Sequence, residues 1–217
     1  MKRKAFIFDL DGVIVDTAKY HYLAWKNLAN SLGFDFTEEQ NEQLKGVSRV
    51  KSLEILLDIG KVTLSEEKKA ELLVEKNTEY LEFVNQMTSQ EILPGVTNVL
   101  DFLDAHTIKY ALGSASKNAP LILEKVGLLQ RFSAIVDGND VSKAKPDPEV
   151  FLIAAQKLNA DPTNCIVIED AIAGIQAANK ANMTSIGIGN NNVLHEATYV
   201  FESMEVVSQD FLKNIID

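Results

Sequence analysis

The segment Phe6-Ile7-Phe8-Asp9-Leu10-Asp11-Gly12-Val13 ends an apolar run in two aspartates one residue apart. A buried strand ordinarily carries no charge, and carboxylates at its C-terminal end fall where open α/β sheets place their active-site crevice. Burying them is costly unless a cation or hydrogen bonds compensate. The pair points to a metal site, a nucleophile or both; the plainer alternative is a strand-end aspartate capping the turn at Gly12. In the functional reading Asp9 is nucleophile and metal ligand. Asp11 gives a proton to the leaving oxygen and later withdraws one from the acceptor, a service worth about 10²–10⁴-fold in rate. Its backbone carbonyl can also ligate the metal.

Three further sets close other apolar runs. Ile168-Glu169-Asp170 repeats the logic of the first. Hard oxygen ligands and few histidines favour Mg²⁺ over Zn²⁺, and Gly174, a turn later, allows the next helix to pack closely. Capping by Asp170 is the alternative. In Gly113-Ser114-Ala115-Ser116-Lys117-Asn118, Ser114 can donate to a phosphoryl oxygen. A helix starting near Lys117 would offer free N–H groups to an anion; a serine cap beside a solvated lysine competes with that reading. Lys143-Ala144-Lys145-Pro146-Asp147-Pro148 sets Lys145 at the mouth of a helix beginning near Pro148. There it either neutralises Asp9 and a transferring phosphoryl group or belongs to a basic loop.

The elements that must position these residues alternate. Strand-like runs at 5–8, 109–113, 134–136, 165–168 and 184–188 are separated by amphipathic stretches near 95–106, 117–127, 148–158 and 171–181. An edge strand is expected near Tyr199 and a last helix over 208–216. This pattern predicts a doubly wound α/β fold, a parallel sheet with helices on both faces. Residues 17 to about 86 break the rhythm with helical periodicity and no strand, too long for a crossover. They read as an inserted helical subdomain, 17–87, in a core made of 1–16 and 88–217, with Pro94-Gly95 restarting the core.

Within the insertion, Thr17, His21 and Trp25 recur at i, i+4 and i+8 on one helix face. That helix begins just beyond Asp11, so Thr17 and His21 can face the site. His21 could orient a substrate hydroxyl or hold Asp11; Trp25 is core or a sugar platform. Ser48 reads as a helix N-cap, Gly46 lets backbone approach a ligand, and Arg49 can hold a phosphate bidentately or lie on the surface. Lys76 or Asn77, on a long helix, can reach the cleft.

Composition narrows the classes. The chain has 217 residues, 46% of them hydrophobic, enough for a substantial core. A net charge of −10 disfavours nucleic acid or an anionic membrane as partner. Any phosphate site must be a local concentration of positive charge. One cysteine, Cys165, in an apolar run excludes an internal disulfide and fits a reducing cytosol. Met1-Lys2-Arg3-Lys4 has the charge of a signal-peptide start, but Asp9 and Asp11 interrupt the apolar stretch after it. No apolar run approaches the ~18 residues of a membrane span.

In order, Asp9-Leu10-Asp11-Gly12-Val13, Ser114, Lys145 and Glu169-Asp170 resemble the four motifs of the haloacid dehalogenase superfamily of phosphotransferases, across the whole chain. The resemblance implies a Rossmann-like core with a small helical cap, the 17–87 insertion, and the second aspartate marks a phosphoryl-transfer member. Tyr20-His21, Ala24-Trp25-Lys26, residues 41–49, Lys76-Asn77 and residues 114–118 further resemble the β-phosphoglucomutase family. That resemblance implies that Arg49, Ser116, Lys117 and Asn118 bind the phosphate not being transferred. It implies that Thr17 and His21 couple hinge closure to catalysis, and that Trp25, Lys45, Gly46, Val47, Ser48 and Lys76 line the sugar site. Mg²⁺ would be held by Asp9, the Asp11 carbonyl and Asp170, with Glu169 as ligand or neighbour.

The implied reaction interconverts β-D-glucose 1-phosphate and glucose 6-phosphate through phosphorylated Asp9 and β-D-glucose 1,6-bisphosphate, the latter also the priming donor. A cytoplasmic enzyme acting on a small sugar phosphate, monomeric by default, is expected. A Mg²⁺-dependent sugar-phosphate phosphatase shares all four core motifs and is the competing activity. A silent phosphosugar-binding protein would be expected to lack Asp9 or Asp11. Departures from the family pattern fall at 137–142 and in the tail, outside the motifs.

Overall fold

The computed structural model describes residues 4–44 and 47–216. Met1-Lys2-Arg3 and the expected sugar-site residues Lys45 and Gly46 lie outside them. Strand β1 (Ala5–Phe8) is buried along its whole length. Phe6 and Phe8 pack into one apolar layer and Ile7 into the opposite one. A strand covered on both faces reads as a continuous apolar run, which is why 5–8 shows no alternation. Strands β2 (Tyr110–Gly113), β3 (Ala134–Val136), β4 (Cys165–Glu169), β5 (Thr184–Ile188) and β6 (Tyr199–Phe201) complete the sheet.

All neighbours are parallel, in the order β3-β2-β1-β4-β5-β6. The order reverses between β1 and β4, and a doubly wound sheet opens its ligand crevice at the carboxyl ends of the strands where that happens. Those ends carry Asp9 and Asp11 on one side, Glu169 and Asp170 on the other.

The insertion contributes α1 (Ala18–Ser31), α2 (Glu38–Asn41), α3 (Arg49–Gly60) and α4 (Glu66–Val84). These helices bury a cluster of their own around Trp25, Leu28, Phe36, Leu53, Leu56 and Leu72. Ser48 caps α3 as expected, its hydroxyl accepting from Lys51 N at 3.3 Å. Core helices α5 (Val96–Ala105), α6 (Ala119–Lys125), α7 (Glu149–Leu158), α8 (Ile172–Lys180) and α9 (Gln209–Ile216) flank the sheet.

The two joints of the insertion lie side by side. Val15 bridges to both Asp11 and Ile92, Leu93 N donates to Ile14 O at 3.0 Å, and Asp16 N to Glu91 O at 3.3 Å. Lys19 Nζ and Tyr20 Oη fasten the start of α1 to the Glu91 carboxylate at 2.7 and 2.9 Å. A displacement of the insertion is therefore felt a few residues from Asp11.

Candidate active site

The floor is an ion cluster. Lys145 Nζ lies 2.6 Å from Asp9 Oδ1 and 3.1 Å from Glu169 Oε1, with all three side chains buried. Burial alone would lower the lysine's pKa, but the two carboxylates overcome it and raise it. Lys145 Nζ also sits 4.8 Å from the Phe151 ring centroid. Glu169 accepts from its neighbour's backbone, Asp170 N, at 2.9 Å. Burial and then the charge of Asp9 push its carboxyl upward.

One carboxylate oxygen each from Asp9, Glu169 and Asp170 lie within 4.8 Å of one another. Three carboxylates and no sulfur or imidazole make a donor set for a hard cation, and Mg²⁺ fits it. Two glycines make room for this set. Gly12 holds φ at +78°, and a Cβ there would run into the Asp170 carboxylate. A Cβ at Gly174 would overlap the Glu169 carboxylate. The close approach expected at Gly174 is thus made by a functional side chain rather than by the helix alone.

Asp11 is half-buried, and Thr17, the residue before α1, donates its hydroxyl to Asp11 Oδ1. Burial first, then the Asp9 charge, push the Asp11 carboxyl up to about 6, against the pull of Thr17, Lys145 and Lys76. A carboxyl poised there can both give and take a proton near neutrality.

The roof comes from α1, α3 and α4. Lys76 is buried and lies 2.8 Å from His21 Nδ1, with its ammonium 4.7 Å from the ring centroids of both Trp25 and Tyr80. Burial and then Arg49 push Lys76 down to about 7. Burial, Lys76 and Arg49 drive His21 well below the ordinary histidine value. A neutral imidazole accepting at Nδ1 from the Lys76 ammonium satisfies both. Asp11 is thus held by Thr17, while His21 is engaged with Lys76. Among the described residues neither Arg49 nor Lys76 forms a salt bridge, although the charges of Asp11 and Glu79 act on Lys76 from further off.

Between floor and roof lies a cavity of about 380 Å³. Its lining includes the expected residues Asp9, Asp11, His21, Trp25, Val47, Ser48, Arg49, Lys76, Ser114, Ser116, Lys117, Lys145 and Asp170. Trp25 both packs in the insertion's core and lines the cavity. Glu169, fully buried, is the member of the floor cluster that does not reach the cavity lining.

Residues 114–118 differ in detail from expectation. Helix α6 starts at Ala119 rather than Lys117, because Ser116 N donates to Ser114 Oγ at 3.1 Å and Asn118 N to Ser116 Oγ at 3.3 Å. These two N–H groups are satisfied within the turn and are not free for an anion. The Ser114 hydroxyl, accepting from Ser116, keeps its proton for an oxygen in the cavity. Asn118 Nδ2 donates to Asn77 Oδ1 at 3.0 Å, joining core to insertion.

Sequence reasoning gave no role to Asn41, within the resembling residues 41–49, and passed over Ser52; both are buried and on the cavity wall. Ser52 is three residues after Arg49, on the same helix face, and that spacing could have found it. Gly138, Val141 and Ser142, in the segment departing from the family pattern, also border the cavity.

A model of the haloacid dehalogenase-like hydrolase family matches residues 6–188. The chain belongs to this family. The β-phosphoglucomutase of Bacillus subtilis is 41% identical over 96% of this chain and 93% of that protein. The phosphorylated carbohydrates phosphatase of Thermotoga maritima is 31% identical over 84% of this chain and 83% of its own. A crystal structure of β-phosphoglucomutase from Clostridium difficile superposes with a TM-score of 0.95 at 44% identity, covering 100% of this chain and 97% of that one. As a haloacid dehalogenase-like protein, this one carries its acidic motifs on the two strands flanking the switch point.

Proposed function

We propose that this protein is a β-phosphoglucomutase, interconverting β-D-glucose 1-phosphate and glucose 6-phosphate. The observation that carries the reading is one cavity with two kinds of phosphate-handling group. The carboxylate and lysine floor suits the phosphoryl group in transfer. Arg49, Lys76 and Lys117 also line the cavity, and among the described residues none of the three forms a salt bridge, so a second phosphate finds positive charge there. A mutase must hold a phosphate at each end of its substrate, whereas a phosphatase needs only one. Near full-length similarity to β-phosphoglucomutases supports the same reading.

In this mechanism Asp9 accepts and returns the phosphoryl group, held by Lys145 at 2.6 Å. Asp11 exchanges the proton with the sugar oxygen, and Ser114 donates to a phosphoryl oxygen. Asp9, Asp170 and the Asp11 carbonyl would hold Mg²⁺, with Glu169 beside them; when bound, the ion offsets negative charge on the phosphoryl oxygens. Arg49, Ser116, Lys117 and Asn118 hold the other phosphate. Trp25, Val47, Ser48 and Lys76, with Lys45 and Gly46, shape the sugar site, and His21 fixes Lys76. Asn118 would exchange Asn77 for a phosphate oxygen. Residues 17–87 act as a cap that excludes water while the sugar bisphosphate turns end for end. A cytoplasmic monomer primed by β-D-glucose 1,6-bisphosphate completes the reading.

The test is ³¹P NMR of the protein with Mg²⁺, β-glucose 1-phosphate and a trace of the bisphosphate. Conversion to glucose 6-phosphate with little inorganic phosphate is expected. Inorganic phosphate as the main product would instead assign a sugar-phosphate phosphatase, the activity carried by the Thermotoga maritima relative.

A further inference from the structure

Lys145 reaches the floor from a loop, yet its Nζ is held 2.6 Å from Asp9 Oδ1. A lysine side chain is a flexible four-carbon stem, so its ammonium is placed only as well as the backbone that carries it. Residues 142–148 have neither helix nor strand to fix them. The first residue of α7, Glu149, reaches back over this loop. Its Oε2 accepts from Ser142 N at 2.9 Å and from Lys143 N at 2.6 Å. The Ser142 hydroxyl, 3.0 Å from both carboxylate oxygens, donates as well. These donors, Lys143 N foremost, hold the Glu149 carboxyl below its ordinary value, against burial and the nearby charge of Asp147. Glu149 N is tied to Asp147 Oδ1 at 3.1 Å, and Asp147 N closes a turn on Ala144 O at 3.0 Å. Just past Lys145, Lys180 Nζ donates to Pro146 O at 3.1 Å.

We propose that Glu149 is a positioning residue for Lys145, acting through the loop that joins them. A carboxylate serving only as a cap would bond the free N–H groups of α7 itself. Glu149 instead turns both oxygens to Ser142 and Lys143. Two consecutive N–H groups and a hydroxyl on one carboxylate pin the start of the loop, and the turn 144–147 is held between that clamp and α7. Without the carboxylate the loop is released at its base, and Lys145 Nζ loses the backbone that sets it between Asp9 and Glu169. Misplacing such a group by about 1 Å costs up to about 10²-fold in rate. Glu149 is absent from the cavity lining, so it acts on the reaction through Lys145 and not by touching substrate. The proposal rests on the role given to Lys145 under the mutase reading and adds to it the residue that sets that lysine.

The experiment compares steady-state kinetics of wild type, Glu149→Ala and Glu149→Gln with Mg²⁺, β-glucose 1-phosphate and a trace of the bisphosphate. Glucose 6-phosphate and inorganic phosphate are followed separately, and melting temperatures are taken alongside. Glu149→Ala is expected to lower kcat about tenfold or more, with KM within about twofold of wild type because the roof is untouched. Both products should fall by the same factor, since Lys145 serves the transfer whatever the acceptor. Glu149→Gln keeps an oxygen able to take both N–H groups. It should return kcat to within about threefold of wild type. A kcat for Glu149→Ala within about twofold of wild type, a loss carried by KM, or a Gln variant as slow as the Ala variant would each overturn the proposal. A lowered melting temperature with unchanged kcat would overturn it too, assigning Glu149 to stability alone. A wild type that releases mainly inorganic phosphate would overturn the mutase reading instead. The effect of the same variants on that release would then still decide whether Glu149 positions Lys145.

Discussion

The two halves of the cavity handle charge in opposite ways. In the floor the cation is met from within, Lys145 being shared by Asp9 and Glu169, and the carboxylates of Asp9, Glu169 and Asp170 leave a negative excess that suits a metal ion. In the roof Arg49 and Lys76 stand together without a salt bridge among the described residues, and Lys76 leans on two aromatic rings and a neutral histidine. The floor's side chains are tied to one another by short contacts. The roof stores unbalanced positive charge whose natural complement is an anionic ligand. On the proposed reading, chemistry resides in the sheet and choice of acceptor in the insertion.

The sharpest way to break this division is Asp11→Asn. Turnover is expected to fall by about 10²–10⁴-fold with the fold and sugar-phosphate binding retained, as steady-state kinetics and calorimetry would show. Lys145→Ala attacks the floor's internal balance. Leaving buried carboxylates without their cation should cost about 3–5 kcal/mol in urea unfolding. The deficit should shrink on acidification, because the stranded carboxylates then take up protons. Gly174→Ala is a subtler probe of the same half. Its methyl displaces the Glu169 carboxylate, costing about 1–3 kcal/mol and weakening Mg²⁺ binding, measured by titration with the metal.

The roof gives the smallest and most diagnostic effect, a dependence on pH. Lys76 sits at about 7, below the ordinary lysine value, so the unfolded chain binds the extra proton between those limits. The cost of burying its ammonium is full below about pH 7 and vanishes above about pH 10.4. Lys76→Met should therefore change the melting temperature more favourably at pH 6 than at pH 10. An equal change at both would show that Lys76 carries no such cost.

The same contrast explains what could be read from the chain. Asp9, Asp11, Glu169 and Asp170 were legible because a charge closing an apolar strand violates a simple burial rule. Strand order then brings the two motifs together. Roof residues obey no such rule. Thr17, His21 and Trp25 show only helical spacing, and Lys76 differs in nothing local from neighbouring lysines, so resemblance had to pick it out. Ser52 looked like an ordinary helix position, and what singles it out is its place on the cavity wall, which exists only after the elements have packed. At the turn 114–118 the helix starts two residues beyond Lys117 for a related reason. Serine hydroxyls competed for the backbone N–H groups, a contest that composition alone does not decide.

The most direct test of the division of labour is the ratio of glucose 6-phosphate to inorganic phosphate formed from β-D-glucose 1-phosphate, with a trace of β-D-glucose 1,6-bisphosphate as primer, by wild type and Arg49→Ala. If the floor transfers and the roof selects, Arg49→Ala should lower sugar phosphorylation by about tenfold or more. Loss of the phosphoryl group from Asp9 to water should continue at close to the wild-type rate. An equal fall in both products would contradict the account, placing Arg49 in the transfer step itself.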